Sequence, residues 1–244
     1  MKNEFSYCGG FIDTPYNGMK LRIQFSKKGP VKFIGHLDTM RFFQRALKRA
    51  GFDIAYSQGF SPHPIMAFAS PLGVGIESDS ECFDLEVVSI SDSDDMTRRL
   101  NAQMCEGIEI RDIRLLPEKS ENAMASVKGA AYTVDIEEFC KPPAVINKLI
   151  SDMMFGQEIL ITKKTKKNEL TVDIRPGIYE LTYDESGLHM TVDASSGGNI
   201  RPEQVVEALF TPESKPDIKV TRNEIYTRDE KGVLVPLIEI GTVF

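Results

Sequence analysis

Tryptophan is absent from the 244 residues, and only three histidines and four cysteines are present. Cys8, Cys82, Cys105 and Cys140 stand far apart, which excludes the locally spaced thiolate sets that hold zinc or iron–sulfur clusters. A disulfide framework is equally foreign to a cytoplasmic chain of this size. Cys82, Cys105 and Cys140 therefore read as small buried apolar residues. His36, His63 and His189 are scattered, so no histidine-rich metal site is expected and the metal prediction is none. No apolar run approaches the roughly 18 residues of a membrane helix. Residues 1–17 hold one lysine and no apolar stretch, so they do not read as a secretory signal. A cytoplasmic protein without membrane association is the expectation.

What is present is an ordinary globular mixture, 41% hydrophobic and 27% charged, with enough apolar residues for two modest cores. The formal charge of -7 argues against a generic nucleic-acid binder, but its distribution is uneven. Between Lys20 and Arg49 there are nine basic residues and one acid, Asp38, a net of +8 that leaves −15 on the remainder. A local field of this kind can attract a polyanion, because distant charges are screened over a Debye length of roughly 8 Å. A second basic cluster, Lys163, Lys164, Lys166 and Lys167, reads as a charged hairpin turn that keeps an edge strand soluble.

Residues 1–18 read as an irregular extension, with Met19 as a candidate true start. Leu21, Ile23 and Phe25 alternate with Lys20, Arg22 and Gln24, the pattern of a half-buried strand, and Val31–Ile34 reads as a short strand. A helix is predicted over Leu37–Ala50, closed by Gly51. Its apolar seam is Leu37, Met40, Phe43, Leu47 and Ala50, and Arg41, Arg45, Lys48 and Arg49 form a basic stripe elsewhere on it. Strands at Phe52–Tyr56 and Glu81–Ser89, a helix at Asp92–Met104 capped by Ser91 or Ser93, and a strand at Glu109–Leu115 follow. The second half repeats the order after a polar linker: strand Ala131–Ile136, helix Pro142–Phe155, a hairpin from Glu158 to Ile174, strands Tyr179–Tyr183 and Leu188–Asp193, helix Pro202–Phe210 and strand Ile218–Thr227. The predicted fold class is α+β, with two tandem ferredoxin-like domains built on antiparallel sheets. They span residues 19–116 and 131–244, with residues 117–130 as linker.

Several motifs invite a chemical reading. Gly35-His36-Leu37-Asp38 sets a histidine near a helix N-terminus, where it meets a phosphate or moves a proton; alternatively Asp38 helps cap the helix and His36 is a loop residue. In Tyr56-Ser57-Gln58-Gly59-Phe60-Ser61-Pro62-His63-Pro64, two prolines fix the backbone around His63, and Tyr56 and Phe60 offer stacking faces for a base. Otherwise this is a rigid loop covering a sheet. Ser70-Pro71-Leu72-Gly73-Val74-Gly75 lacks the Lys-Ser/Thr of a P-loop and the third glycine of a Rossmann fingerprint. Ser195-Ser196-Gly197-Gly198-Asn199 is either an anion-binding loop using backbone N–H groups or a plain connector. Arg175 of Asp173-Ile174-Arg175-Pro176-Gly177 pairs with Asp173, meets phosphate, or belongs to a structural turn.

Phe25-Ser26-Lys27, Phe33-Ile34-Gly35-His36-Leu37-Asp38, Arg45-Ala46-Leu47-Lys48-Arg49-Ala50-Gly51 and Ala55–Pro64 together resemble the radical-SAM-linked domain family. This is a bacterial family of unassigned activity whose members occur alone or fused behind a cobalamin-binding radical SAM protein. The dense match covers residues 19–90, and Asp173–Pro176 extends it loosely. The resemblance implies an accessory role beside a radical SAM partner. The iron–sulfur cluster, SAM and cobalamin are expected only on that partner, since this chain lacks the three closely spaced cysteines and is expected to carry no cofactor. The architecture is more distantly similar to CRISPR repeat-processing endoribonucleases, which cut RNA without metal, although Gly197-Gly198 here precedes the last helix rather than the last strand.

Three functions are therefore open. The first is an accessory module that binds tRNA or rRNA through Lys27, Lys28, Lys32, Arg41, Arg45, Lys48 and Arg49, with Tyr56, Phe60 and His63 lining the adjacent surface. The second is a metal-independent endoribonuclease using His36 as acid or base, helped by Lys32 or Tyr56. The third is an adaptor whose positive stripe docks the radical SAM protein without RNA.

Overall fold

The computed structural model describes residues 18–139, 141–164, 169–211 and 218–244. The extension before residue 18, Cys8, Cys140, Lys166 and Lys167 lie outside the described residues. Strand β1 (Met19–Lys27) leads through a 3-10 turn (Gly29–Phe33) into α1 (His36–Arg49), followed by β2 (Met66–Phe68), β3 (Glu77–Val87), α2 (Ser93–Asn101) and β4 (Ile108–Leu115). A one-turn helix, α3 (Ala123–Ser126), precedes the second half. That half comprises β5 (Gly129–Val134), α4 (Pro143–Phe155), the hairpin β6 (Leu160–Lys164) and β7 (Glu169–Asp173), then β8 (Ile178–Asp184), β9 (Gly187–Asp193), α5 (Pro202–Phe210), β10 (Val220–Arg228) and β11 (Leu234–Pro236).

The class is α+β, with one large, mostly antiparallel sheet. In the first half the strands run β4-β1-β3, and β2 pairs with the far side of β3. In the second they run β10-β5-β9-β8. Both are the fourth-first-third-second order of a split β-α-β unit. A short parallel pairing of Glu77 and Ser78 with Thr221 and Arg222 joins the halves into one continuous sheet. The hairpin β6-β7 forms a separate two-stranded sheet.

Each half has its own core. In the first, Leu21, Ile23 and Phe25 of β1 meet Phe43, Ala46 and Leu47 of α1. Phe25 and Phe43 lie edge to face at 4.6 Å, with Phe68 and Phe83 beside them. Each fully buried phenyl ring is worth about 1.5–3 kcal/mol. In the second half, Val134, Leu188, Met190 and Val192 on the sheet pack against Ile146, Ile150, Val205 and Val206 on the helices. A third, small cluster takes Cys82 and Ala69 from the first half and Ile225 and Leu237 from the second, with Ala123 and Val127 from the segment between them. The polar segment after Pro117 thus buries Ala123, Ser126 and Val127 at α3, which Asn122 caps by accepting from the Ala125 N–H.

Several local expectations need correction. Val31–Ile34 is helical and turn-like rather than a strand, because Pro30 starts a 3-10 turn. Phe52–Tyr56 makes only isolated bridges, Ile54 to Val87 and Tyr56 to Pro64; the strand beside β3 is β2. Leu37 is exposed, and Thr39 with Ala46 completes the α1 seam instead. Gly51 ends α1 with φ +74, as the C-terminal glycine was expected to. Asp92, not Ser91 or Ser93, caps α2 by accepting from the Asp94 and Asp95 N–H groups. Cys82 is buried but Cys105 is exposed. Arg22 alternates with the core residues of β1, yet it is 0% exposed, because the C-terminal 3-10 turn (Leu237–Ile240) covers the second face of β1 and takes its Nη1–H on the Leu237 carbonyl at 3.1 Å.

Candidate nucleic-acid interface

Helix α1 carries its basic residues on the face turned away from the phenylalanine core. Arg41, Arg45, Lys48 and Arg49 are all exposed. Arg41 makes a surface pair with Asp38 at 3.2 Å, a contact worth at most about 1 kcal/mol. Asp38 does not cap the helix, whose N-cap is Gly35 with no side-chain bond. Arg49 donates to the Gln103 side chain at 3.2 Å. Arg45 makes no ion pair among the described residues. The Lys48 ammonium sits 5.3 Å from the centre of the Tyr56 ring, which ties the helix to the proline-bracketed loop.

That loop is held at its base. Tyr56 bridges Pro64, Ser57 N–H donates to the His63 carbonyl at 2.9 Å, and Ile65 N–H to the Ala55 carbonyl at 3.0 Å. His63 Nδ1 lies 2.9 Å from Ser57 Oγ. Phe60 at the tip is fully exposed and covers nothing. The Tyr56 ring therefore lies beside the Lys48 end of the basic row.

The basic residues before α1 behave differently. Lys27 is buried and donates to the Ile34 carbonyl at 2.6 Å; burial lowers its pKa, partly opposed by Glu81. It does not face solvent phosphate. Lys28 pairs with Asp79 at 2.5 Å and Lys32 with Glu77 at 3.0 Å. The three residues grouped for RNA cleavage each have separate engagements. The His36 ring stands edge-on to Phe68 at 5.0 Å, Lys32 holds Glu77, and Tyr56 receives Lys48.

Other motifs resolve as architecture. The Arg175 guanidinium closes the end of α4, donating from Nη2 to the Met154 carbonyl at 2.8 Å. Asp173 accepts from the Arg175 and Ile159 N–H groups. In the loop before α5, the N–H groups of Ser195, Gly198, Asn199 and Ile200 are all taken up by Asp193 and Ser195. Most of the loop's N–H groups are therefore used within the loop itself. Among the described residues no group of three or more His, Cys, Asp and Glu is placed to hold a metal, and no helix is long and apolar enough to cross a membrane. His189 of β9 sits between Asp184, 2.9 Å from Nε2, and Thr133, 3.1 Å from Nδ1; hydrogen bonds from Ser186 and His189 hold the Asp184 carboxyl well below its usual range.

Sequence reasoning missed the acids that face the basic strand and turn, and it missed that the Ser70–Gly75 and Ser195–Asn199 loops meet. Only the alternating acids of Glu77, Asp79 and Glu81 signalled the first. Nothing in the sequence signalled the second.

The model of a family described as "Uncharacterized protein conserved in bacteria (DUF2344)" matches residues 20–202. The chain belongs to this family. No curated protein matches it. Among solved structures it is similar to a chain of a Cbf5-Nop10-Gar1 complex, with 10% identity, a TM-score of 0.44 and coverage of 91% of this chain. The match spans 60% of that chain.

Proposed function

With membership of a bacterial family of unassigned activity as the premise, we propose that the protein binds structured RNA through the exposed face of α1 and the loop at its end, as an accessory to a radical SAM enzyme. The observation that carries the RNA reading is the row Arg41, Arg45, Lys48 and Arg49, which is exposed and ends on the Tyr56 ring. Guanidinium and ammonium groups supply sequence-independent phosphate attraction. Tyr56 and the fully exposed Phe60 supply faces on which unpaired bases stack. The radical SAM association is supported by the resemblance of residues 19–90. The substrate to be modified would be tRNA or rRNA, with this chain positioning it.

Binding of labelled small RNA across a salt series, in EDTA, tests the reading. Wild type should lose affinity steeply as salt rises. The combined Arg41→Ala, Arg45→Ala, Lys48→Ala variant should bind more weakly and with a shallower slope. A variant that binds like wild type would refute the interface.

The same exposed basic row, with the exposed apolar Ile34 and Leu37 at the other end of α1, supports a second reading, an adaptor whose positive stripe docks an acidic surface of the radical SAM protein without RNA. A salt-sensitive complex with that protein in nuclease-treated extract, together with no RNA binding, would select it.

A further inference from the structure

Where the two halves meet, the Ser70–Val74 loop faces the Asn199–Glu203 segment across a cavity of ≈ 490 Å³. Its size lies within the range of about 300–1,000 Å³ typical of ligand clefts. The walls are of two kinds. Leu72, Val74, Ile76 and Ile200 supply apolar surface, and Tyr132, Asn199, Arg201, Arg222 and the carboxylate of Glu203 supply polar groups. The construction is firm on one side. Arg222 of β10 is buried, pairs with Glu81 at 2.9 Å through Nε, and donates from Nη2 to the Ser70 carbonyl at 2.7 Å. A strand of the second half thereby holds the first half's loop in place. Arg222 is spent on this bracing, whereas the Arg201 side chain is exposed at the rim and no hydrogen bond or ion pair engages it among the described residues.

The cavity also lies next to the turn that leads into α1. Gly75 N–H donates to the Lys32 carbonyl at 3.0 Å, and the Phe33 ring lies within van der Waals reach of Gly75, 3.9 Å from where a Cβ would stand. Phe33 is 66% exposed and Val74 65%. An aromatic face and an apolar lip therefore stand between the start of α1 and the cavity mouth.

We propose that this cavity receives a single unpaired nucleobase of the RNA held on α1. A flat heteroaromatic ring needs apolar walls for its faces and fixed donors and acceptors for its edge. Leu72, Val74 and Ile200 provide the former, and the Asn199 amide provides the latter. Arg201 meets the phosphate of the same nucleotide at the rim. The inference rests on the RNA reading above and adds the part of the RNA that is singled out: an unpaired base beside a helix, rather than the helix itself.

The test uses the full-length protein and two RNA hairpins with the same stem, one fully paired and one with a single bulged 4-thiouridine. Photocrosslinking of the bulged hairpin should label peptides within residues 70–76 or 199–203. Val74→Glu and Arg201→Ala, both at exposed positions outside the cores, should each weaken the bulged hairpin by about tenfold and leave the paired hairpin unchanged. The α1 triple variant should weaken both hairpins alike. Crosslinks confined to residues 41–63, or equal binding of the bulged hairpin by wild type and both rim variants, would overturn the cavity assignment and leave the α1 interface standing. Failure of wild type to bind either hairpin at low salt would overturn both.

Discussion

The basic residues of β1 and its following turn are the same types as those of α1, yet they meet different surroundings. Arg22 lies directly opposite Asp84 in the β1–β3 register and is locked to it by two hydrogen bonds of 2.7 and 3.0 Å. Lys28 and Lys32 reach Asp79 and Glu77 on the same strand. Among the described residues α1 has no such neighbour strand on its outer face, and the ion pair made by its basic row is the exposed Asp38–Arg41 contact. The +8 count between Lys20 and Arg49 thus divides into a strand-and-turn part neutralised by β3 and a helix part left facing solvent. Charge along a chain does not report a surface field until the register of the neighbouring strand is known.

The comparison can be broken most severely at Arg22. Arg22→Met leaves Asp84 buried without its partner and should cost about 3–5 kcal/mol of stability, read by chemical denaturation. Adding Asp84→Leu should recover most of that loss, because an apolar pair of similar volume escapes the desolvation penalty. Failure of the double variant to improve on the single would show that the pair has a further role.

The next effect is on binding rather than folding. Neutralising Arg41, Arg45 and Lys48 should reduce the slope of log affinity against log salt by about 2–3, at roughly 0.7–0.9 per phosphate contact. Each exposed change should alter stability by no more than about 1 kcal/mol. Calorimetry and a salt titration of the same variant separate the two.

An acid without a base sharpens the contrast further. At the junction of the halves Glu81 has Arg222, whereas among the described residues Glu224 accepts from Ser80 and the Ile225 N–H and meets no base. Burial raises the Glu224 pKa above 4.5, its hydrogen bonds opposing. A raised carboxyl pKa contributes stability below its ordinary value that is lost as pH rises through the folded value. Glu224→Gln should therefore raise the melting temperature relative to wild type more at neutral pH than at pH 4, where the wild-type carboxyl is already protonated. An unchanged pH profile would show that Glu224 titrates normally. The smallest effect is expected at Lys28→Ala and Lys32→Ala, each within about 1 kcal/mol in stability and with little change in RNA affinity, since their charges are already met.

The sequence made some of this visible. Alternation in β1, the three- and four-residue spacing of Phe43, Ala46 and Leu47, and the Pro202 start and Phe210 end of α5 are local signals, and the repeated element order follows from them. Pro30 and Pro64 were visible too, but whether such residues start a turn or flank a strand depends on what pairs nearby. β3 takes β2 as its neighbour, which leaves Phe52–Tyr56 with bridges only. The exposure of α1's basic stripe was legible from its helical period. The burial of Arg22 was not, because it depends on a C-terminal turn more than two hundred residues away in the chain, at Leu237, and that of Lys27 was not, because it depends on the chain turning back to bring the Ile34 carbonyl onto its ammonium. The cavity was equally hidden, since its two loops meet only when β10 joins β3.

The most direct measurement is binding of labelled small RNA, in EDTA across a salt series, by three proteins: wild type, the Arg41/Arg45/Lys48 alanine variant and the Lys28/Lys32 alanine variant. The account predicts steep, nearly equal salt dependence for wild type and the Lys28/Lys32 variant, and weak, shallow binding for the α1 variant. Loss of binding in the Lys28/Lys32 variant with the α1 variant unaffected would contradict it, and would place the interface on the strand and turn that β3 is argued to neutralise.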